Sequence, residues 1–230
     1  MEQRHLLSPG QAGRGVTERS CSFTRESLSD LLSSRRPGRR TSPSLQPLRG
    51  DADLNPGMTP LAAPRPAAVL VGLVEREEGF TVLLTRRTEH LAHHAGQVSF
   101  PGGRIEDRDG TPAQAALRET EEEIGLHRSH IDLIGRLDDY VTGTGFIVTP
   151  LVGLIRPPFD IEPDPFEVAE IFEVPLSFLL DPNNHQTCEK VIRGAELRYF
   201  AMPYGRHFIW GATAGILMNL YEVLHQTRGY

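Results

Sequence analysis

The chain has 230 residues, 39% of them hydrophobic, with 18 prolines and 22 glycines, which suits one ordinary domain with extensions and many loops. A formal net charge of −6 argues against a general nucleic-acid binder. Two distant cysteines, Cys21 and Cys188, define no disulfide framework, and no run of about 18 apolar residues is present to cross a membrane. The polar start, Met1 to Arg19, lacks the apolar centre of a signal peptide, so a cytoplasmic location is expected.

The charge is uneven. Residues 1–50 hold nine arginines against four acids, a net of +5, so the −6 overall leaves −11 on the rest. A basic tail can contact RNA or a membrane surface, but a solvated, flexible tail is the reading preferred here. Arg25 to Arg35 is compatible with a short helix, and Pro37 to Pro66 reads as linker. The expected division is a flexible Arg/Pro/Ser-rich extension over 1–60 and a folded domain over 61–230.

In chain order, Ala67–Val74 and Phe80–Leu84 are strands around the turn Glu77-Glu78-Gly79, a hairpin signal. Val98–Phe100 is a short strand before Pro101-Gly102-Gly103. The clearest helix is Pro112 to Ile124, with Thr111 and Gln114 as a capping box, Pro112 at the first position and Gly125 as the stop. Its predicted buried stripe is Ala113, Ala116, Leu117, Thr120 and Ile124. Strands follow at Leu133–Val141, Phe146–Ile155, Val168–Val174, Thr187–Arg193 and Leu197–Met202, with a short helix from Pro175 and a final helix over Gly211–Gln226. The mixed order predicts an α/β or α+β sandwich, a mixed sheet flanked by helices.

Glu119, Glu122 and Glu123 stand at i, i+3 and i+4 of the helix, on one face. They occupy its C-terminal half, where the macrodipole disfavours each charge by about 0.3–1 kcal/mol. Repulsion within the Glu119/Glu123 pair adds about 0.2–0.5 kcal/mol. A divalent cation resolves this conflict, and magnesium and manganese prefer oxygen ligands. A solvated acidic face is the alternative for these glutamates taken alone. His90 and His94 at i, i+4 raise a zinc reading, which the following Gly96 and Pro101 and the lack of partner cysteines oppose.

From Gly103 the chain reads G-R-I-E-D-R-D-G-T-P-A-Q-A-A-L-R-E-T-E-E-E-I-G-L. This resembles the Nudix box, with Arg118, Glu119, Glu122, Glu123, Gly125 and Leu126 in register. The stretch between Gly103 and Arg118 is one residue longer than usual, so its acid is Glu106, Asp107 or Asp109, and Thr120 takes a usually aliphatic slot. Leu83 to Gly103, L-L-T-R-R-T-E-H-L-A-H-H-A-G-Q-V-S-F-P-G-G, resembles the coenzyme A pyrophosphatase subgroup, which shares the longer box. One departure is Ala92, where that subgroup usually has Arg.

The resemblance implies a Nudix-type α/β/α sandwich that uses Mg2+ or Mn2+. The implied metal ligands are Glu119, Glu122, Glu123 and the Gly103 carbonyl, with these glutamates and Arg118 as the catalytic set. Arg118 is expected to orient a glutamate or the loop acid. Arg86, Arg87, His94, Gly96, Phe100, Pro101 and Gly102 are the expected substrate contacts, with His90 and His93 nearby. Glu167 and Glu170 are candidates for the general base, alongside the box glutamates. The implied reaction splits coenzyme A or an acyl derivative into adenosine 3′,5′-bisphosphate and a phosphopantetheine. The alternatives are ADP-ribose, NADH or a nucleoside triphosphate as substrate, or a non-catalytic binding module, which the retained glutamates oppose. No membrane or nucleic-acid partner is expected, and a homodimer is compatible with the sequence.

Overall fold

The structure, a computed structural model, describes residues 23–33, 49–58, 63–91, 94–192 and 195–226. Cys21, Ala92, His93 and most of the basic N-terminal segment lie outside the described residues. In chain order the elements are α1 (Arg25–Ser33), β1 (Arg49–Gly50), β2 (Arg65–Arg76), β3 (Gly79–Arg87), β4 (Val98–Ser99), β5 (Gly102–Arg104), α2 (Pro112–Ile124), β6 (Ile131–Arg136), β7 (Tyr140–Val141), β8 (Phe146–Ile155), β9 (Val168–Pro175), α3 (Leu176–Leu179), β10 (Gln186–Ile192), β11 (Ala195–Tyr204), β12 (His207–Trp210) and α4 (Ala212–Gln226).

The large sheet is mixed, as the sequence predicts. β2 and β3 form the antiparallel hairpin. On its other edge β2 runs parallel to β8 from Arg65↔Phe146 to Val74↔Ile155. β9 lies antiparallel to β3, and β6 antiparallel to β8. A separate antiparallel sheet, β10-β11-β12, packs with α4.

Both faces of the large sheet are covered, which is why β2 is apolar at successive positions rather than alternating. Ala67, Val71 and Leu73 face a core shared with Leu28 and Leu32 of α1 and Leu217, Leu220 and Leu224 of α4. Ala68 packs with Ala115 and Ala116 of α2. Leu70 and Val74 pack with Ile124 at the end of that helix. This is the expected sandwich, helices on each side of a mixed sheet. Among the described residues no helix is long and apolar enough to cross a membrane.

Two expectations need correction. The segment 1–60 is not uniformly an extension, because α1 buries Leu28 and Leu32 and β1 pairs in parallel with β7. The strand expected over Leu133–Val141 is two strands, with a register shift between Leu133 and Gly135. At Gly135 a Cβ would lie 2.8 Å from the Leu32 carbonyl oxygen, so α1 packs there against bare backbone. β1, β5 and β12 were not predicted from sequence.

Candidate active site

The site is built where β5 meets α2. A Cβ on Gly102 would sit 2.6 Å from Val69 Cα, and its φ is +149°, so the loop can press onto β2 only as glycine. At Gly103 a Cβ would lie 2.5 Å from Glu119 Cδ, so the bare backbone lets the carboxylate approach. The paired glycines therefore bring loop backbone and helix carboxylates together.

The helix starts and stops where predicted. The Thr111 hydroxyl oxygen accepts from Gln114 N at 3.2 Å, Pro112 opens the first turn, and Gly125 closes the helix in the left-handed conformation with its N–H on Glu121 O at 3.0 Å. The capping box is only half formed: Gln114 Oε1 accepts from the Thr111 hydroxyl at 3.2 Å, while Thr111 N donates to Asp109 O. The buried face is Ala115, Ala116, Thr120, Glu123 and Ile124, so Ala115 and Glu123 take the depth expected of Ala113 and Leu117. Thr120 fills an apolar slot by donating its hydroxyl to Ala116 O at 2.7 Å.

The three box glutamates have different surroundings. Glu123 is 5% exposed; it accepts from Gly102 N at 3.1 Å and lies 3.6 Å from Arg87 Nη1. Burial, the largest influence, pushes its carboxyl up to about 8. Glu119 is pressed against Gly103 and pairs with Arg118 Nη1 at 2.9 Å; burial also raises its pKa. Glu122 turns outward, half-exposed, toward Arg118 at 2.7 Å and Arg108 at 3.4 Å. The shared face seen in the sequence is thus a buried, a half-buried and an exposed carboxylate.

Among the described residues no group of three acidic, histidine or cysteine side chains has the spacing of a formed metal site. The chemistry of the donors nonetheless fits a hard divalent ion. Glu119 and Glu123 offer oxygen only, and a cation beside Glu123 would favour loss of the proton that burial otherwise retains.

Of the three loop acids, Arg118 pairs with Asp109. Its Nε and Nη2 grip Asp109 at 2.7 and 2.9 Å, while Nη2 also donates to Arg104 O at 3.2 Å. Asp109 is 3% exposed, and the Arg118 hydrogen bonds hold its carboxyl down at about 2. The same bonds raise the Arg118 pKa. Glu106 pairs instead with Arg108 at 2.7 Å. Arg118 thus ties the loop to Glu119 and Glu122.

The candidate bases separate. Glu167 lies 3.6 Å from Arg87 Nη2, so Arg87 stands between it and Glu123. Glu170 is held by Arg206 at 2.5 Å, His207 at 3.1 Å and Arg86 at 3.3 Å. The Arg206 hydrogen bond, the largest cause, brings its carboxyl down to about 2. Sequence reading missed Arg206 and His207, which reach Glu170 only through the β11–β12 turn.

Of the expected substrate contacts, Arg87 and Gly102 touch Glu123. Arg86 faces Glu170 and Glu89. His94 is hydrogen-bonded to Gln97 at 2.8 Å, and Gly96 N bonds Thr88 O at 3.4 Å. Phe100, 3% exposed, packs in the main core. Pro101 likewise is buried, its carbonyl accepting from Leu70 N at 2.9 Å.

A glycine loop thus feeds a carboxylate-bearing helix on a mixed sheet, and a model of the NUDIX domain matches residues 63–193. The chain belongs to the Nudix family, whose members generally hydrolyse pyrophosphate linkages in nucleotide derivatives with divalent ions such as Mg2+ or Mn2+. It is similar to the uncharacterized Nudix hydrolase NudL of Escherichia coli (strain K12), 41% identical over 156 residues, 68% of this chain and 81% of that one. NudL of Shigella boydii serotype 18 matches to the same extent. Among solved structures it is similar to RenU, a Nudix hydrolase from M. smegmatis, at 25% identity and a TM-score of 0.40, over 50% of this chain and 73% of that one.

Proposed function

We propose that this chain hydrolyses the pyrophosphate bond of coenzyme A or an acyl-coenzyme A, releasing adenosine 3′,5′-bisphosphate and a 4′-phosphopantetheine. The observation that carries the hydrolytic reading is the buried Glu123 carboxylate beside Glu119 at the Gly102–Gly103 loop. The substrate reading rests on the Leu83–Gly103 segment and its likeness to the coenzyme A subgroup.

Glu119, Glu123 and the Gly103 carbonyl would hold Mg2+ or Mn2+, with Glu122 joining by turning from Arg118. The ion, when bound, neutralises phosphate oxygens and polarises the attacking water. Arg118 keeps Glu119 against the loop by holding Asp109. Arg87 presents a guanidinium suited to a phosphate, between Glu123 and Glu167. Glu167 accepts the proton of the water whose oxygen attacks one phosphorus, and the bridging P–O bond breaks to leave two phosphomonoesters. Glu170 is unsuited to that role, because Arg206, Arg86 and His207 hold it and a carboxyl near 2 is a weak base.

The test is incubation with coenzyme A, ADP-ribose and NADH, with magnesium or manganese, and separation of products. Adenosine 3′,5′-bisphosphate from coenzyme A is the expected result. Turnover of ADP-ribose or NADH alone would overturn the substrate and keep the chemistry. That second reading is favoured by Ala92, which replaces an Arg suited to phosphate.

A further inference from the structure

Phe166 is 74% exposed, the most exposed large hydrophobic side chain among the described residues. A lone surface apolar residue needs no explanation in itself. This one is held in place. Its N–H donates to Asp164 Oδ1 at 2.8 Å, and its carbonyl accepts from the buried Thr88 hydroxyl at 2.7 Å. Thr88 N donates to Glu167 O at 3.0 Å, and Asp164 N donates to Glu123 O at 2.9 Å. The loop carrying Phe166 is therefore pinned to the end of β3 and to α2 at a box glutamate.

Among the described residues one aromatic ring meets it: His90 stands at 90° to it, centroids 5.9 Å apart. The next residue, Glu167, shares Arg87 with Glu123, and consecutive Cα atoms are about 3.8 Å apart. A nucleotide carries its base one ribose away from its 5′-phosphate. A diphosphate at Glu119 and Glu123 thus has an exposed aromatic side chain on the adjoining loop, next in sequence to Glu167.

We infer that Phe166 is a stacking platform for the purine base of the nucleotide substrate, with His90 walling one edge. This rests on the pyrophosphatase reading above and adds the base-recognition residue to it. Stacking tolerates any base but demands a flat ring, so the platform selects base-bearing diphosphates over those without a base.

The test reads binding rather than turnover. AMP and ribose 5-phosphate are titrated into the full chain in magnesium buffer by calorimetry, for the native protein, Phe166→Ala and Phe166→Trp. Phe166→Ala weakens AMP binding about tenfold, Phe166→Trp keeps it, and ribose 5-phosphate affinity does not change. Because the side chain is exposed, melting temperatures stay equal across the three. Equal AMP affinity in Phe166→Ala, or native protein that binds AMP no more tightly than ribose 5-phosphate, overturns the platform. A chain that binds AMP through Phe166 but cleaves no diphosphate refutes the function and keeps the platform; a pyrophosphatase indifferent to Phe166→Ala does the reverse.

Discussion

Glu123 carries a stability consequence with a definite sign. Its carboxyl lies near 8 when folded, against 4.5 for the free group. Between those values the folded chain holds a proton that the unfolded chain lacks. Without metal, stability is therefore full below about 4.5 and declines as pH rises toward 8, by up to about 1.4 kcal/mol per unit. Thermal melts of metal-free protein should show this decline, and Glu123→Gln should flatten it and raise Tm at pH 8. Because a ligand carboxylate must lose its proton, manganese affinity should rise over the same window.

Asp109 works in the opposite direction. Its carboxyl near 2 contributes stability above about 3.8 that is lost as pH falls through 2. Asp109→Ala leaves the Arg118 guanidinium, 12% exposed, without its main partner and should cost on the order of 3 kcal/mol by denaturant titration. At the base, Glu167→Gln should lower kcat by about a hundredfold or more, while Glu170→Gln, which removes no base, should not. The box glutamates were legible in the sequence because their spacing is local. Which loop acid Arg118 holds was not, since Glu106, Asp107 and Asp109 differ only in how the short turn at Asp107–Asp109 points them. The unequal burial of Glu119, Glu122 and Glu123 depends on the sheet beneath the helix, which spacing cannot show.

At the scale of elements, long strands and capped helices were readable. β8 has the predicted bounds, and α2 carries its own start and stop signals. Strands of two to four residues, such as β1, β5 and β12, hold too few positions for a period to emerge. α1 was readable as a helix but not as a buried one. Its two core leucines lie four apart, and the strand it covers, β6, is about a hundred residues away in sequence. Leu32→Ala should lower unfolding free energy by about 3 kcal/mol, measured by denaturant titration. A truncation that removes α1 should therefore destabilise the sandwich, whereas a passive extension predicts no change.

Across the whole molecule, the basic N-terminal segment is partly consumed within the fold. Arg25 pairs with Glu75 at 3.1 Å and Asp132 at 2.9 Å, and Arg49 with Asp138 at 3.2 Å and with Glu222. These arginines join the acidic body to its own N-terminal elements, which weakens the idea that their charge is reserved for another molecule. The same architecture, one sheet with helices on both faces, sets the Gly102–Gly103 loop against α2 and the Phe166 loop against its end. The most direct test of the central claim follows the release of adenosine 3′,5′-bisphosphate from coenzyme A by native protein and by Glu123→Gln, each with magnesium and with chelator. Release by native protein only, and only with the metal, is the predicted result. Release that survives chelation, or that Glu123→Gln leaves unchanged, would contradict the account.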